Sequence, residues 1–157
     1  MSAPAPFRTA MDAAIAAGTV QSAEDRQHAA LAHLLGAIVG LMTAGVLFPV
    51  AAPTLVLVLH SNRNPFVLFH VNQAAWFQGL VSTIQLVSTI GFFILYFVTC
   101  GMGVFLLIPL IPIFLVGWLL SVVYPAIVAY QAYQGQWGMY PYLGRWVLDQ
   151  ESPIVAE

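Results

Sequence analysis

The chain has 157 residues, of which 61% are hydrophobic and only 6% charged, where a soluble domain carries about 25% charged side chains. Four arginines, six acids and no lysine give a net charge of −2, which offers no electrostatic reason to bind nucleic acid and too little polar surface for a fold in water. The single cysteine, Cys100, excludes an intrachain disulfide and a cysteine-built metal cluster. Residues 29–59 and 66–143 contain no Asp, Glu, Lys or Arg, so the bilayer is the solvent that fits and the class is an integral membrane protein.

Residues 1–25 read as a polar, Ala-rich lead without the basic and apolar regions of a cleaved signal peptide. The first membrane segment is therefore expected to serve as an uncleaved anchor. "TAMDAAIAA" suits a short helix with Met11 and Ile15 four apart on one side, or a disordered terminus. In "SAEDR", Ser22 is placed to cap a helix whose first turn holds Glu24 and Asp25 against the positive end of the dipole.

The first apolar block spans residues 28–60. As one helix it would run roughly 50 Å, beyond the ~30 Å hydrocarbon core, yet two full crossings need about forty residues. Gly45, Pro49 and Pro53 break it near the middle. One kinked span and a tight hairpin both fit; the hairpin puts Arg8, Arg26, Arg63 and Arg145 on one face, which the positive-inside rule makes cytoplasmic. The second block, Ala74 to Cys100, is long enough for one crossing and ends at the turn "CGMG". In the third block Pro109 and Pro112 mark an apolar lead-in, the main helix runs from about Pro112 to Gln134, and Pro125 is expected to kink it. The expectation is an all-α integral membrane helical bundle of four hydrophobic segments, a short proline-broken hairpin plus two longer spans. Its domain covers residues 26–146, with a tail over 147–157 and both termini on the cytoplasmic side of a bacterial inner membrane.

The densest polar cluster lies between the first two blocks. After "HSNRNP", His70, Asn72 and Gln73 read as an interfacial loop with Trp76 as a headgroup anchor, and a binding or contact site on that loop is the alternative. His60 and His70 are expected to be solvated. Gln78, Ser82, Gln85 and Thr89 recur at intervals of four, three and four on one helix face, to be either hydrogen-bonding contacts between helices or the polar lining of a path or groove. Ala32, Gly36, Gly40 and Ala44 form a small-residue ladder for close helix packing, repeated more weakly by Gly117 and Ser121. His33 is the one intramembrane group that titrates near neutrality; it either bonds across helices while neutral or holds a haem or chlorophyll. No catalytic set, phosphate loop or metal spacing is present, and no cofactor or enzyme activity is expected.

The segments "EDRQHAALAHLLG", "PTLVLVLH", "NPFVLFHVNQAAWFQ" and "AYQAYQGQWGMYPYLGR" resemble a family of small bacterial membrane proteins related to the chloroplast inner-envelope import component Tic-twenty. The resemblance covers about residues 22–146. Its most telling spacings run from Pro65 to Gln78 and through Gly135, Tyr140, Pro141 and Arg145. It implies a four-segment bundle with both termini on one side. The absence of lysine, and Trp76 where the family commonly has Asn, are departures. Three functional expectations follow: an accessory or scaffolding subunit packed against other membrane-protein subunits, a transport or protein-conducting component by analogy with the import relative, and a pigment or haem binder through His33.

Overall fold

The computed structural model of the chain describes residues 7–42, 55 and 64–149, and all regular structure among them is helical. The helices are α1 (Phe7–Ala16), α2 (Ala23–Met42), α3 (Pro65–Val98), the short α4 (Val104–Leu107), α5 (Ile111–Tyr133) and α6 (Leu143–Leu148); a 3-10 turn, Ile108–Leu110, leads into α5.

A single carboxylate ties the starts of α2 and α3. Ser22 accepts the Asp25 N–H at 3.0 Å and donates its hydroxyl to Asp25 Oδ2 at 2.7 Å, the cap expected from the sequence. The same Oδ2 accepts from Asn64 Nδ2 at 2.8 Å. Asn64 in turn caps α3 by accepting the Phe66 N–H at 2.9 Å, with Pro65 at the first helical position where a missing donor costs nothing. Contacts then climb both helices together, from Asp25 with Asn64 through His33 with His70 to Gly36 with Gln78, so α2 and α3 run parallel. Helix α5 returns antiparallel: Ala129 and Ala132 pack among Ala29, Ala32 and Phe66, while Ser121 lies near Ala37 and Gly40. Small residues on α2 admit this approach, and α2 so separates its neighbours that α3 and α5 scarcely touch.

Among the described residues, two helical stretches are long and apolar enough to cross a membrane, residues 65–98 and 108–133. The four expected segments are therefore not all visible: the first block appears as α2, and the expected returning limb, with Gly45, Pro49, Pro53, His60 and Arg63, lies outside the described residues. The second span also starts nine residues before the expected Ala74, at Pro65. At 34 residues it is about 51 Å long, well beyond the hydrocarbon thickness.

The excess has a structural explanation. The start of α3 is sealed in a cap built from α1, α2, the end of α5, the segment after it and α6. Phe7 meets Phe69 edge-on at 6.0 Å, and Leu68, Val147 and Leu148 close around them. Met11 packs there as well, whereas Ile15, expected on the same side, is exposed. The cap's rim carries Trp76 edge-on to Trp146 at 5.0 Å, with exposed Tyr130 and Tyr133, the residues that settle at headgroups. From Trp76 to Val98 is about 33 Å of helix, one hydrocarbon thickness. At the far end Cys100 (φ 52°) and Gly101 (φ 88°) make the "CGMG" turn, where the Gly101 N–H bonds to the Tyr96 carbonyl at 2.8 Å.

Candidate functional site

The cap holds a chain of three buried polar side chains from three parts of the sequence. The Tyr140 hydroxyl lies 2.9 Å from His33 Nδ1, and His33 Nε2 lies 3.0 Å from His70 Nδ1. Both histidines are fully buried, and Tyr140 is 2% exposed. The ring roles depend on the tautomer, and donor bookkeeping favours one proton order. In it Tyr140 donates to His33 Nδ1, His33 Nε2–H to His70 Nδ1, and His70 keeps its proton on Nε2, since a neutral imidazole has one donor and one acceptor. The Gln136 backbone lies against the His70 ring, although His70 Nε2 makes no bond of proper hydrogen-bond geometry. Only this proton order turns an N–H toward that backbone carbonyl; the reverse order would leave the tyrosine proton and a ring lone pair unmatched. Burial pushes the Tyr140 phenol above its ordinary range, which keeps it a donor.

Aromatic rings insulate the chain. Phe66 and Phe69 stand edge-on to His70 at 4.6 and 5.3 Å, and Phe77 stacks on Tyr140 at 4.3 Å. Beside it Gln73 forms a two-armed clamp: Oε1 accepts the Tyr140 N–H and Nε2 donates to the Gly138 carbonyl, each at 2.9 Å. Gly144 gives that clamp room, and Gly138 does the same for the neighbouring Gln131. A Cβ on Gly144 would stand 2.5 Å from Gln73 Oε1, and one on Gly138 would run into Gln131. Gly135 ends α5 at φ 79°, where glycine is the residue without steric cost, and a Cβ there would meet the Arg26 side chain at 3.2 Å. Pro141 and Arg145 are exposed.

His70 and Gln73 therefore correct the expected interfacial loop: they are helical and sealed, because Phe66, Phe69 and Phe77 flank them on a stripe that turns toward the cap. Asn72 bonds back to the Leu68 carbonyl and is half-buried, and Trp76 is exposed as expected of an anchor. Tyr140, His33 and His70 each stand out in the sequence, but not together. The available signal is the helical spacing of Phe66, Phe69, His70, Gln73 and Phe77, which marks one face instead of a loop.

On the next turns of α3 the polar stripe faces protein. Gln78 is 2% exposed and its side chain lies on Gly36, where a Cβ would stand 2.9 Å from Gln78 Cγ. Gly36 thus admits a glutamine, while Ala32 packs in the core and Gly40 lines a small cavity. Ala44 lies outside the described residues. The stripe makes few of the expected interhelical bonds: Gln78 Nε2, Ser82 Oγ and Gln85 Oε1 are buried without protein partners. Further along, Ser88 and Thr89 line an apolar groove of about 700 Å3 between α3 and α5, walled by Phe92, Leu95, Phe114 and Trp118. Ser121 reaches the small cavity, but Gly117 is a correction to the packing ladder: it is exposed, with nothing within 4 Å of where its Cβ would be, because α5 turns that face away from α2. Both ring nitrogens of His33 are engaged, and among the described residues no three His, Cys, Asp or Glu side chains converge as metal ligands.

A helical membrane protein with a sealed, hydrogen-bonded cap and a bare apolar helix pair is the class these features define. The chain belongs to the MamF/MmsF family, described as the magnetosome magnetite crystal formation protein family, which it matches over residues 24–147. That range is close to the 22–146 expected for a small membrane-protein family, but nothing in the comparisons links the chain to the Tic-twenty component. No curated protein and no solved structure matches it.

Proposed function

We propose that this chain is a non-enzymatic membrane subunit that packs against other subunits in the membrane where magnetite crystals form. The process comes from the family's description, magnetite crystal formation. The observation that carries the subunit reading is the groove between α3 and α5. Its walls are apolar, Ser88 and Thr89 are among its lining residues, and it opens on the hydrocarbon side of the molecule, where a second helix would find packing surface. In this reading the cap faces the cytoplasm, because Arg8, Arg26 and Arg145 all lie at that end, and the membrane derives from the bacterial inner membrane. No cofactor enters the reading: a haem or chlorophyll on His33 would have to displace Tyr140 or His70 from a sealed site.

A transport or protein-conducting role like that of the Tic-twenty component is the second reading, favoured by the unpartnered atoms of Gln78, Ser82 and Gln85. Gln85 also borders a mostly apolar cavity of about 390 Å3 between α3 and α5, but the space it shares with Gln78 measures only about 10 Å3, too little for a path.

The test uses the tagged full chain in its own membranes. Mild detergent extraction should yield a complex with a stoichiometric membrane-protein partner, and a lone monomer after crosslinking in intact membranes overturns the subunit reading. Loss of the gene should alter the size or number of magnetite crystals under the electron microscope, and unchanged crystals overturn the process.

A further inference from the structure

Between α2, α3 and α5, within the membrane half of the molecule, sits a cavity of about 10 Å3 walled by Ala37, Gly40, Leu41, Val81, Trp118 and Val122, with Gln78, Gln85 and Ser121 as its polar lining. Two of those polar groups are orphaned: Gln78 Nε2 is a buried donor without an acceptor, and Gln85 Oε1 a buried acceptor without a donor. Gln78 is 2% exposed and lies over Gly36, where there is room for it only because that residue has no Cβ. Ser121 donates its hydroxyl to the Trp118 carbonyl at 2.7 Å and retains free lone pairs. Hydrocarbon offers such groups nothing, and an unpaired donor and acceptor on residues that border one small space are costly there.

We propose that one water molecule resides in this cavity, accepting from the Gln78 side-chain amide and donating to Gln85 Oε1 and Ser121 Oγ. Three criteria for a buried water meet here: the volume is that of about one probe sphere, the lining is polar, and three partners offer the usual number of bonds. The donors and acceptors also balance, one N–H given and two O–H received. The water links Gln78 and Gln85 on α3 to Ser121 on α5, two helices that α2 otherwise keeps apart. Its function is to satisfy the polar stripe as a single hydration site beside the mostly apolar cavity of about 390 Å3 that Gln85 and Ser121 also border. Ser82 Oγ, buried without a partner, is not on the cavity wall and takes no part.

Solid-state NMR of the full chain in lipid bilayers tests this with water itself as the probe. Magnetisation transferred from water to side-chain amides is compared at Gln78 and Gln73. Gln73 is the control, since it is as deeply buried but bonded to protein on both arms. The expected result is several-fold greater transfer at Gln78, falling to the Gln73 level in Gln85→Met, with none reaching the backbone around Thr89. Equal transfer at Gln78 and Gln73 overturns the proposal. So does transfer that survives Gln85→Met, or that extends to Thr89 and reveals a wet path. Should Gln85→Met fail to fold, the comparison of the two glutamines in the unaltered chain decides.

Discussion

The first and second halves of α3 belong to one unbroken helix and have opposite surroundings. From Phe66 to Val71 every residue is at most 3% exposed, and Gln73 and Ala74 join them. From Leu80 to Val98 the same helix turns Ile84, Val87, Ile90, Ile94 and Phe97 outward, each more than half exposed. Hydropathy predicts the reverse of this burial, since His70, Asn72, Gln73 and Gln78 all lie in the first half. What separates them is the solvent each must satisfy. The cap meets water, so its apolar groups need protein around them, and its polar groups His33, His70, Gln73 and Tyr140 bond to one another. In the other half hydrocarbon does the covering, and the helix pair needs little packing of its own.

The contrast breaks most sharply at Gln73. Gln73→Ala leaves the Tyr140 N–H and the Gly138 carbonyl unpaired in a sealed site, a cost of about 1–3 kcal/mol for each group. Thermal unfolding in bilayer discs should show a larger loss for it than for Gly144→Ala or Tyr140→Phe, and limited proteolysis should cut after α5. Gly144→Ala presses a methyl onto Gln73 Oε1 and onto Met139 Cβ, 2.6 Å away, and should cost about 1–3 kcal/mol by overpacking in the same assay.

Tyr140→Phe keeps the ring stacked on Phe77 but strips His33 Nδ1 of its donor, a loss of about 1–2 kcal/mol at neutral pH. It also carries a pH signature with a definite sign. The folded phenol titrates above its unfolded value, so the folded state holds the proton longer, and its stabilising contribution is present below the ordinary tyrosine range near pH ~10 and lost as the pH rises through the higher folded value. Unfolding followed on the alkaline side should therefore show a smaller decline in Tyr140→Phe than in the unaltered chain. An equal decline would place the sensitivity elsewhere.

How much of the structure is legible in the sequence depends on range. The membrane class, the Ser22 cap and the "CGMG" turn are set by neighbours a few residues apart, and each is legible. The polar stripe is legible too, because a helical interval fixes a face without reference to any partner; what the interval cannot say is that Gln78 meets a glycine instead of a hydrogen-bonding group. The cap is not. Its bonds join His33 to Tyr140 across 107 positions and Gln73 to Tyr140 across 67, and a His-Val-Asn-Gln box beside oily runs looks like a surface loop until those partners are known. The same effect shortens the expected α3 by nine residues, since polar side chains at its start suit the headgroups as well as they suit the core of a cap.

The smallest expected effect is the most direct check on the comparison. Ile90 is 51% exposed in the hydrocarbon half, and Val67 is fully buried in the cap. Truncating Ile90 to alanine removes more carbon than truncating Val67, so a simple count of lost methyl groups ranks Ile90→Ala as the worse change. The environments reverse that order. Lipid tails flow into the space that Ile90 leaves, and a lipid tail is as apolar as the side chain it replaces, so the change should stay within about 0.5 kcal/mol. Val67 is enclosed by fixed neighbours that cannot collapse fully, so its loss adds a cavity term and should cost about 1 kcal/mol or more. Unfolding midpoints of the two variants in the same bilayer discs settle the order. If Ile90→Ala proves the more damaging, this face of α3, which lies off the α3–α5 groove, is packed against protein as well and not against lipid.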